Sequence, residues 1–376
     1  MSSPSAEDAY ESLVEIFRSR ESNECLEIEI LLPSQGPLLR DGSFIGITKK
    51  ALTKAFVTAR KRFMQYLEHA KEGYSASAAE KSECAASTEI ILLFDCEHTT
   101  ACNWRKQRVA TAINNYITEE TGNQALQDLF ESELNLVKTF VCSPLHRHTK
   151  SPTLWQHRLW LMTERMKLRG RLQEDIFLSP EAMHKFIVAE WKIVCRAGEL
   201  HPRNYYAFSY MRQLHSYASK VSERAYNAAV SQDPALLHAL TVALVEPMLK
   251  WCLSNPKDIS GWMFLVYLLS HEDPIGKQDV TRLRKVALER TLHFAVKVTA
   301  WDGESLWTFV DLMMTRFGPS ILPDSLDKNG TNPMDRIHEP NKNPTGKDVN
   351  STNRTARWKT TRQYTIACYK RSNENT

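Results

Sequence analysis

Large residues recur along this chain at long, nearly regular intervals. Cys102, Trp155, Phe208, Trp262 and Trp307 follow one another at spacings of 53, 53, 54 and 45 residues. Four positions before these anchors stand His98, Ser151, Asn204, Asp258 and Gly303. The last four are residue types that satisfy the free amides at the start of a helix. One position before the anchors lie Ala101, Leu154, Ala207, Gly261 and Leu306, none with a polar side chain. Two positions after lie Trp104, His157, Tyr210, Phe264 and Phe309, all planar rings. Pro152 follows Ser151, as suits a first helical position. The pattern predicts a helix that begins at the cap and buries its anchor one turn in.

Within the second unit, Trp155, Leu159, Met162 and Met166 share one helical face. Further helical patterns fill most intervals, as over Asn123 to Val141 and Pro180 to Arg196. Each unit is then a helical hairpin, which cannot bury both faces alone and must stack on its neighbours. The expected fold is all-α: an α-α solenoid, or superhelix, of stacked antiparallel helical hairpins in a curved right-handed array. Leu26 to Leu32 is the one strand-like run.

The pattern divides the chain. Residues 1–88 form an N-terminal helical region, with a surface loop expected over the small, polar stretch 73–88. Residues 89–317 hold the repeats. Residues 318–356, rich in Pro, Asn, Asp, Lys and Gly, read as a flexible connector, and 357–376 as a closing helix and tail.

Composition narrows the function classes. Over 376 residues, 42% are hydrophobic, 24% are charged, and the net charge is only +4. That balance suits a globular chain and argues against a nucleic-acid partner. The basic runs Lys49-Lys50 and Arg60-Lys61-Arg62 read as solvated helix faces. The N-terminus has neither a basic nor an apolar signal region, no apolar run is long enough to span a bilayer, and Asn373 to Thr376 hold no prenylation box. None of the eight cysteines forms a CxxC pair. They are expected to be reduced, mostly buried thiols of a cytoplasmic protein, with no metal site.

Two units carry a specific resemblance. Lys150-Ser-Pro-Thr-Leu-Trp155-Gln-His157-Arg158 and His201-Pro-Arg-Asn204-Tyr205-Tyr-Ala-Phe208-Ser-Tyr210 resemble the repeat of protein prenyltransferase α subunits. Pro256-Lys257 before Trp262, and Glu304-Ser-Leu-Trp307, fit more loosely. Glu27 to Pro33, then Gly46-Ile-Thr and a long helix, point to proteins related to the Rab geranylgeranyltransferase α subunit. The chain departs from the family at Cys102 and Phe208, which replace tryptophans. The arginine three residues after the anchor is kept at Arg105 and Arg158 but becomes Met211, Leu265 and Val310.

The resemblance implies an α-type subunit of a heterodimeric protein prenyltransferase, inactive alone. In that family a β subunit holds the zinc and the isoprenoid tunnel, so no cofactor is expected on this chain. The partners implied are that β subunit, an isoprenoid diphosphate (geranylgeranyl expected) and a cysteine-containing acceptor protein. Lys150 matches the family lysine that reaches toward the diphosphate, and Arg203, Asn204, Tyr205 and Tyr206 match a substrate-facing segment. Arg105, His157 and Arg158 are expected to tie adjacent hairpins together. The alternative is a non-catalytic helical-repeat adaptor that binds a protein partner.

Overall fold

The computed structural model describes residues 6–20, 25–119, 123–168, 180–228, 235–271, 277–318, 321 and 357–367. Nearly all of these are helical, and the chain divides into two compact units, residues 1–221 and 222–376. The division falls within the repeats and not at residue 88.

The first unit opens with α1 (Ala6–Arg18), β1 (Glu27–Leu31), β2 (Leu38–Asp41), β3 (Phe44–Thr48), α2 (Lys49–Lys71) and α3 (Ala78–Phe94). The strand-like run is real, but it is one strand of three. β3 lies in the middle, parallel to β1 and antiparallel to β2. Gly42, at φ 57°, turns β2 into β3. The sheet is tied to a repeat helix. The amides of Leu26 and Ile28 donate to Thr139 Oγ1 (3.3 Å) and Ser143 Oγ (2.9 Å) of α5 (Asn123–Cys142). These bonds explain why the N-terminal region is not a separate body.

The loop expected over 73–88 is largely helix. Ser77 caps α3 through the Glu80 amide, and the Glu80 carboxylate returns to the Ser77 amide. This reciprocal cap starts a helix from a composition that reads as loop. Cys84, Ser87 and Thr88 are then buried.

The repeats follow. α4 (Thr99–Glu119) packs on α5, and α5 in turn on α7 (Pro152–Lys167) and α8 (Pro180–Leu200). A short α6 (His146–Thr149) leads into α7, and α9 (Tyr205–Ala228) opens the third repeat. The second unit holds α10 (Ala235–Ser254), α11 (Ile259–Leu269), α12 (Lys277–His293), which runs into a π-helical turn, and α13 (Glu304–Phe317). α11 lies so close to α10 that a β-carbon on Gly261 would fall 2.3 Å from the Trp251 ring. The closing helix appears over 357–367 and packs on α13: Arg357 pairs with Asp311, and Thr361 Oγ1 donates to its Oδ1 at 2.8 Å. Apart from residues 318 and 321, the expected connector lies outside the described residues.

The repeat register holds throughout. Cys102, Trp155, Phe208, Trp262 and Trp307 are each the fourth residue of α4, α7, α9, α11 and α13, and all five are buried. Each residue four positions earlier is the one just before the helix. Ser151 Oγ accepts from the Leu154 amide (3.1 Å), Asn204 Oδ1 from Ala207 (3.2 Å), and Asp258 Oδ1 from Ser260 and Gly261. His98, the odd member of the series, also caps: its Nδ1 accepts from the Ala101 amide at 3.1 Å.

Candidate functional site

Two kinds of junction join one repeat to the next. The first is made inside the first unit by buried charge. Arg105, three residues after its anchor, makes a two-pronged bond to Glu133 of α5 (2.9 and 2.8 Å) and reaches the Ala85 carbonyl of α3 at 3.1 Å. Arg158 does the same one repeat later, binding Glu190 of α8 (2.8 and 2.6 Å) and the Leu134 carbonyl at 2.9 Å. The ring two residues after the next anchor completes each node. His157 Nε2 lies 3.5 Å from Glu133, and Tyr210 Oη donates to Glu190 at 2.6 Å.

All six side chains are buried. Burial alone would raise the Glu133 carboxyl, but Arg105 and His157 outweigh it and hold its pKa down at about 2. Burial also lowers the pKa of His157, against the pull of Glu133. Arg158 is held charged by Glu190 despite its burial. These groups face one another and not solvent.

The second junction is made by the turn before each helix. Six residues before the anchor stands a carbonyl that a side chain serves. Trp155 Nε1 donates to Thr149 O (2.8 Å), Trp262 Nε1 to Pro256 O (3.1 Å) and Trp307 Nε1 to Trp301 O (2.8 Å). Side chains of a neighbouring repeat reach the same carbonyls, beside the indole at Thr149 O, where Asn204 Nδ2 also donates at 2.8 Å, and without one at Cys96 O and Pro202 O. Ser151 Oγ reaches Cys96 O at 3.2 Å, and Lys150 Nζ reaches Pro202 O at 3.0 Å.

The second of these places Lys150 at an exposed edge. His201 and His146 meet there edge to face, with ring centroids 4.7 Å apart. Burial, with His146 and Lys150 nearby, lowers the pKa of His201. Arg203 is exposed on the adjoining turn and holds a left-handed backbone, φ 63°. Tyr205 and Tyr206 open α9 and are 59% and 48% exposed. The edge thus presents an ammonium, a guanidinium and two phenols. That set can bind an oxyanion or the polar backbone of a peptide.

Asn204 does not join it. It was expected at a substrate, but it is fully buried, and both ends of its amide are committed: Nδ2 donates to Thr149 O at 2.8 Å while Oδ1 caps α9. An N-cap wedged between two turns and buried there presents no surface to a ligand. Glu133 and Glu190, which organise the buried nodes, carry no signal of their own in the sequence. Among the described residues, no three His, Cys, Asp or Glu side chains converge to hold a metal ion, and no helix is long and apolar enough to cross a membrane.

Residues 187–218 match the protein prenyltransferase alpha subunit repeat. The match runs from α8 into α9 and takes in Glu190, Lys150's acceptor Pro202, the Asn204 cap, Phe208 and Tyr210. The resemblance seen in the sequence is therefore borne out, and the match falls on the second of its two specific segments. This chain is also similar to the geranylgeranyl transferase type-2 subunit alpha of Candida albicans, 28% identical over 144 residues. That stretch covers 38% of this chain and 32% of the relative, so the chain spans about a third of the relative's length.

Proposed function

We propose that the chain is the α-type subunit of a heterodimeric protein prenyltransferase. It scaffolds a catalytic β subunit that transfers an isoprenoid, geranylgeranyl by analogy with the similar Candida protein, to cysteines of an acceptor protein in the cytoplasm. The observation that carries this reading is the prenyltransferase alpha repeat over 187–218, set against the edge formed by Lys150, Arg203, Tyr205 and Tyr206.

Transfer of an isoprenoid from its diphosphate to a thiol needs a thiolate, an apolar tunnel and positive charge for the departing diphosphate. The first two fall to the β subunit and its zinc. This chain contributes the third. The Lys150 ammonium stabilises charge that grows as the carbon–oxygen bond breaks, which speeds the chemical step more than it tightens binding. Arg203 adds a second cation, and the two tyrosines supply hydroxyl donors.

The test is single-turnover transfer by the chain reconstituted with the β-type partner that copurifies with it. Lys150→Ala is expected to leave the heterodimer intact and slow transfer about ten- to a hundredfold. Lys150→Arg is expected to recover part of the rate. An unchanged rate for Lys150→Ala would remove this role. A second reading, a non-catalytic repeat adaptor, draws on the exposed Tyr205–Tyr206 pair. Copurification of a stable partner unrelated to prenyltransferase β subunits would favour it.

A further inference from the structure

The small N-terminal sheet has one face in the core and one in solvent. On the inner face Ile28, Ile45 and Ile47 are buried, and the amides of Leu26 and Ile28 are tied to α5. Yet large apolar side chains exposed to solvent crowd into the same short segment: Ile30, Leu32, Leu39 and Phe44. The register sorts them by face. Gly46 stands between Glu29 and Leu39, and Phe44 between Glu27 and Asp41. Residues paired across strands share a face, as do alternate residues along one strand. Leu31, Leu39 and Phe44 therefore lie together on the side away from the core. Leu31 covers Gly46, since a β-carbon there would fall 2.6 Å from Leu31 Cδ1. Leu39 and Phe44 are 51% and 59% exposed.

Carboxylates rim this apolar centre on both sides. Glu27 and Glu29 stand on β1 and Asp41 on β2, the two edge strands. Glu27 binds Arg196 at 2.9 Å. Among the described residues, Glu29 and Asp41 have no ion-pair partner. The edge strands are about 10 Å apart across β3, which is about the width of an α-helix.

We propose that this face is a docking surface for a basic amphipathic helix of a protein partner, whose apolar stripe covers Leu31, Leu39 and Phe44 and whose flanking lysines or arginines reach Glu29 and Asp41. A helix laid on a sheet is the ordinary way to bury such a face. The rim decides the class of partner. Unpaired carboxylates repel phosphate, so neither an anionic bilayer nor a nucleic acid suits the face. A second copy of the chain would bring like carboxylates together. The inference does not rest on the function proposed above.

The probe is a synthetic helix of leucine, alanine and lysine with its leucines along one face, titrated by fluorescence anisotropy against the full-length chain. A scrambled isomer with no apolar face and a counterpart with glutamate for lysine are the controls. The wild-type chain is expected to prefer the lysine helix to both. Leu39→Ser with Phe44→Ser is expected to keep the urea midpoint and weaken binding about tenfold or more. Glu29→Lys with Asp41→Lys is expected to weaken the lysine helix about three- to tenfold and to turn the preference toward the glutamate helix.

Unchanged affinity in the Leu39/Phe44 variant, or equal binding of the scrambled isomer, overturns the site. If that variant does not fold, the charge-reversed variant decides alone, and an unchanged preference for the lysine helix overturns the proposal. Two other results would also overturn it by giving the face a different occupant. One is binding of the wild-type chain to phosphatidylserine vesicles that Leu39→Ser with Phe44→Ser abolishes. The other is self-association, seen by sedimentation, that the same variant abolishes.

Discussion

The two units use one repeat geometry and opposite chemistry at the same positions. In the first unit, the positions three residues after the anchor and two after the next one hold Arg105 with His157, and Arg158 with Tyr210, closed on Glu133 and Glu190. In the second unit, Leu265 and Val310 replace the arginines, while Phe264 and Phe309 replace the polar rings. All four are fully buried, and the Trp262 and Phe309 rings lie 4.8 Å apart. The equivalent contact in the first unit, Trp155 to Tyr210, is 5.2 Å. Charge is thus not required for hairpins to stack at this spacing. What the polar nodes add is direction: an Arg fork, a carboxylate and a ring N–H or O–H fit in one arrangement only, whereas apolar side chains pack in several. They also add fragility, because a buried ion pair resists loss of both partners better than loss of one.

The largest effect should come from breaking a node halfway. Glu190→Ala leaves the Arg158 guanidinium buried without its carboxylate and is expected to cost about 3–5 kcal/mol. Hydrogen exchange read by mass spectrometry should show the loss in α7 and α8 and little change in α11. Converting the whole node to the second unit's chemistry, with Arg158→Leu, Glu190→Leu and Tyr210→Phe together, is expected to restore most of the stability. Continued instability of that triple variant would show that the two chemistries are not interchangeable.

In the second unit, Leu265→Ala should cost about 2–4 kcal/mol through a cavity alone, with faster exchange in α11 and α13. No partner replacement should rescue it, in contrast to the polar node.

Acid should separate the units next. Burial lowers the pKa of His157 below its ordinary 6.5, so the unfolded chain takes up that proton at a higher pH than the folded chain does, and stability falls as pH drops. Glu133 stays ionised down to about 2, against 4.5 ordinarily, so its contribution is whole above 4.5 and fades as pH falls toward 2. Urea unfolding of the first unit, followed by exchange in α5, should lose on the order of 2 kcal/mol between pH 6.5 and 3. Glu133→Gln should remove the lower part of that slope. An equal slope in α11 would break the comparison.

The smallest effect tests the anchor indole's own hydrogen bond. Trp262→Phe imposes on the second unit what Phe208 already is in the third repeat, leaving Pro256 O without its donor. About 1 kcal/mol is expected, seen as a shift in the urea midpoint at unchanged slope.

Sequence alone determined the repeat. Cap, anchor and ring recur at fixed offsets because each is governed by the first turn of one helix, where local backbone geometry decides what fits. His98 shows how far this reaches: the residue type gave no cap signal, yet its position in the series places it at one. Tertiary structure decided what these local units meet. Glu133 and Glu190 sit 28 and 32 residues after their arginines, on second helices with no common offset, so nothing periodic marks them. The same holds for the sheet held by Thr139 and Ser143, and for the Lys150 amine on Pro202. It holds also for Asn204, which sequence places at a ligand and packing places between two turns. Each of these depends on which groups are brought within about 3 Å across separate helices. That proximity is a property of the packed chain and has no period along the sequence.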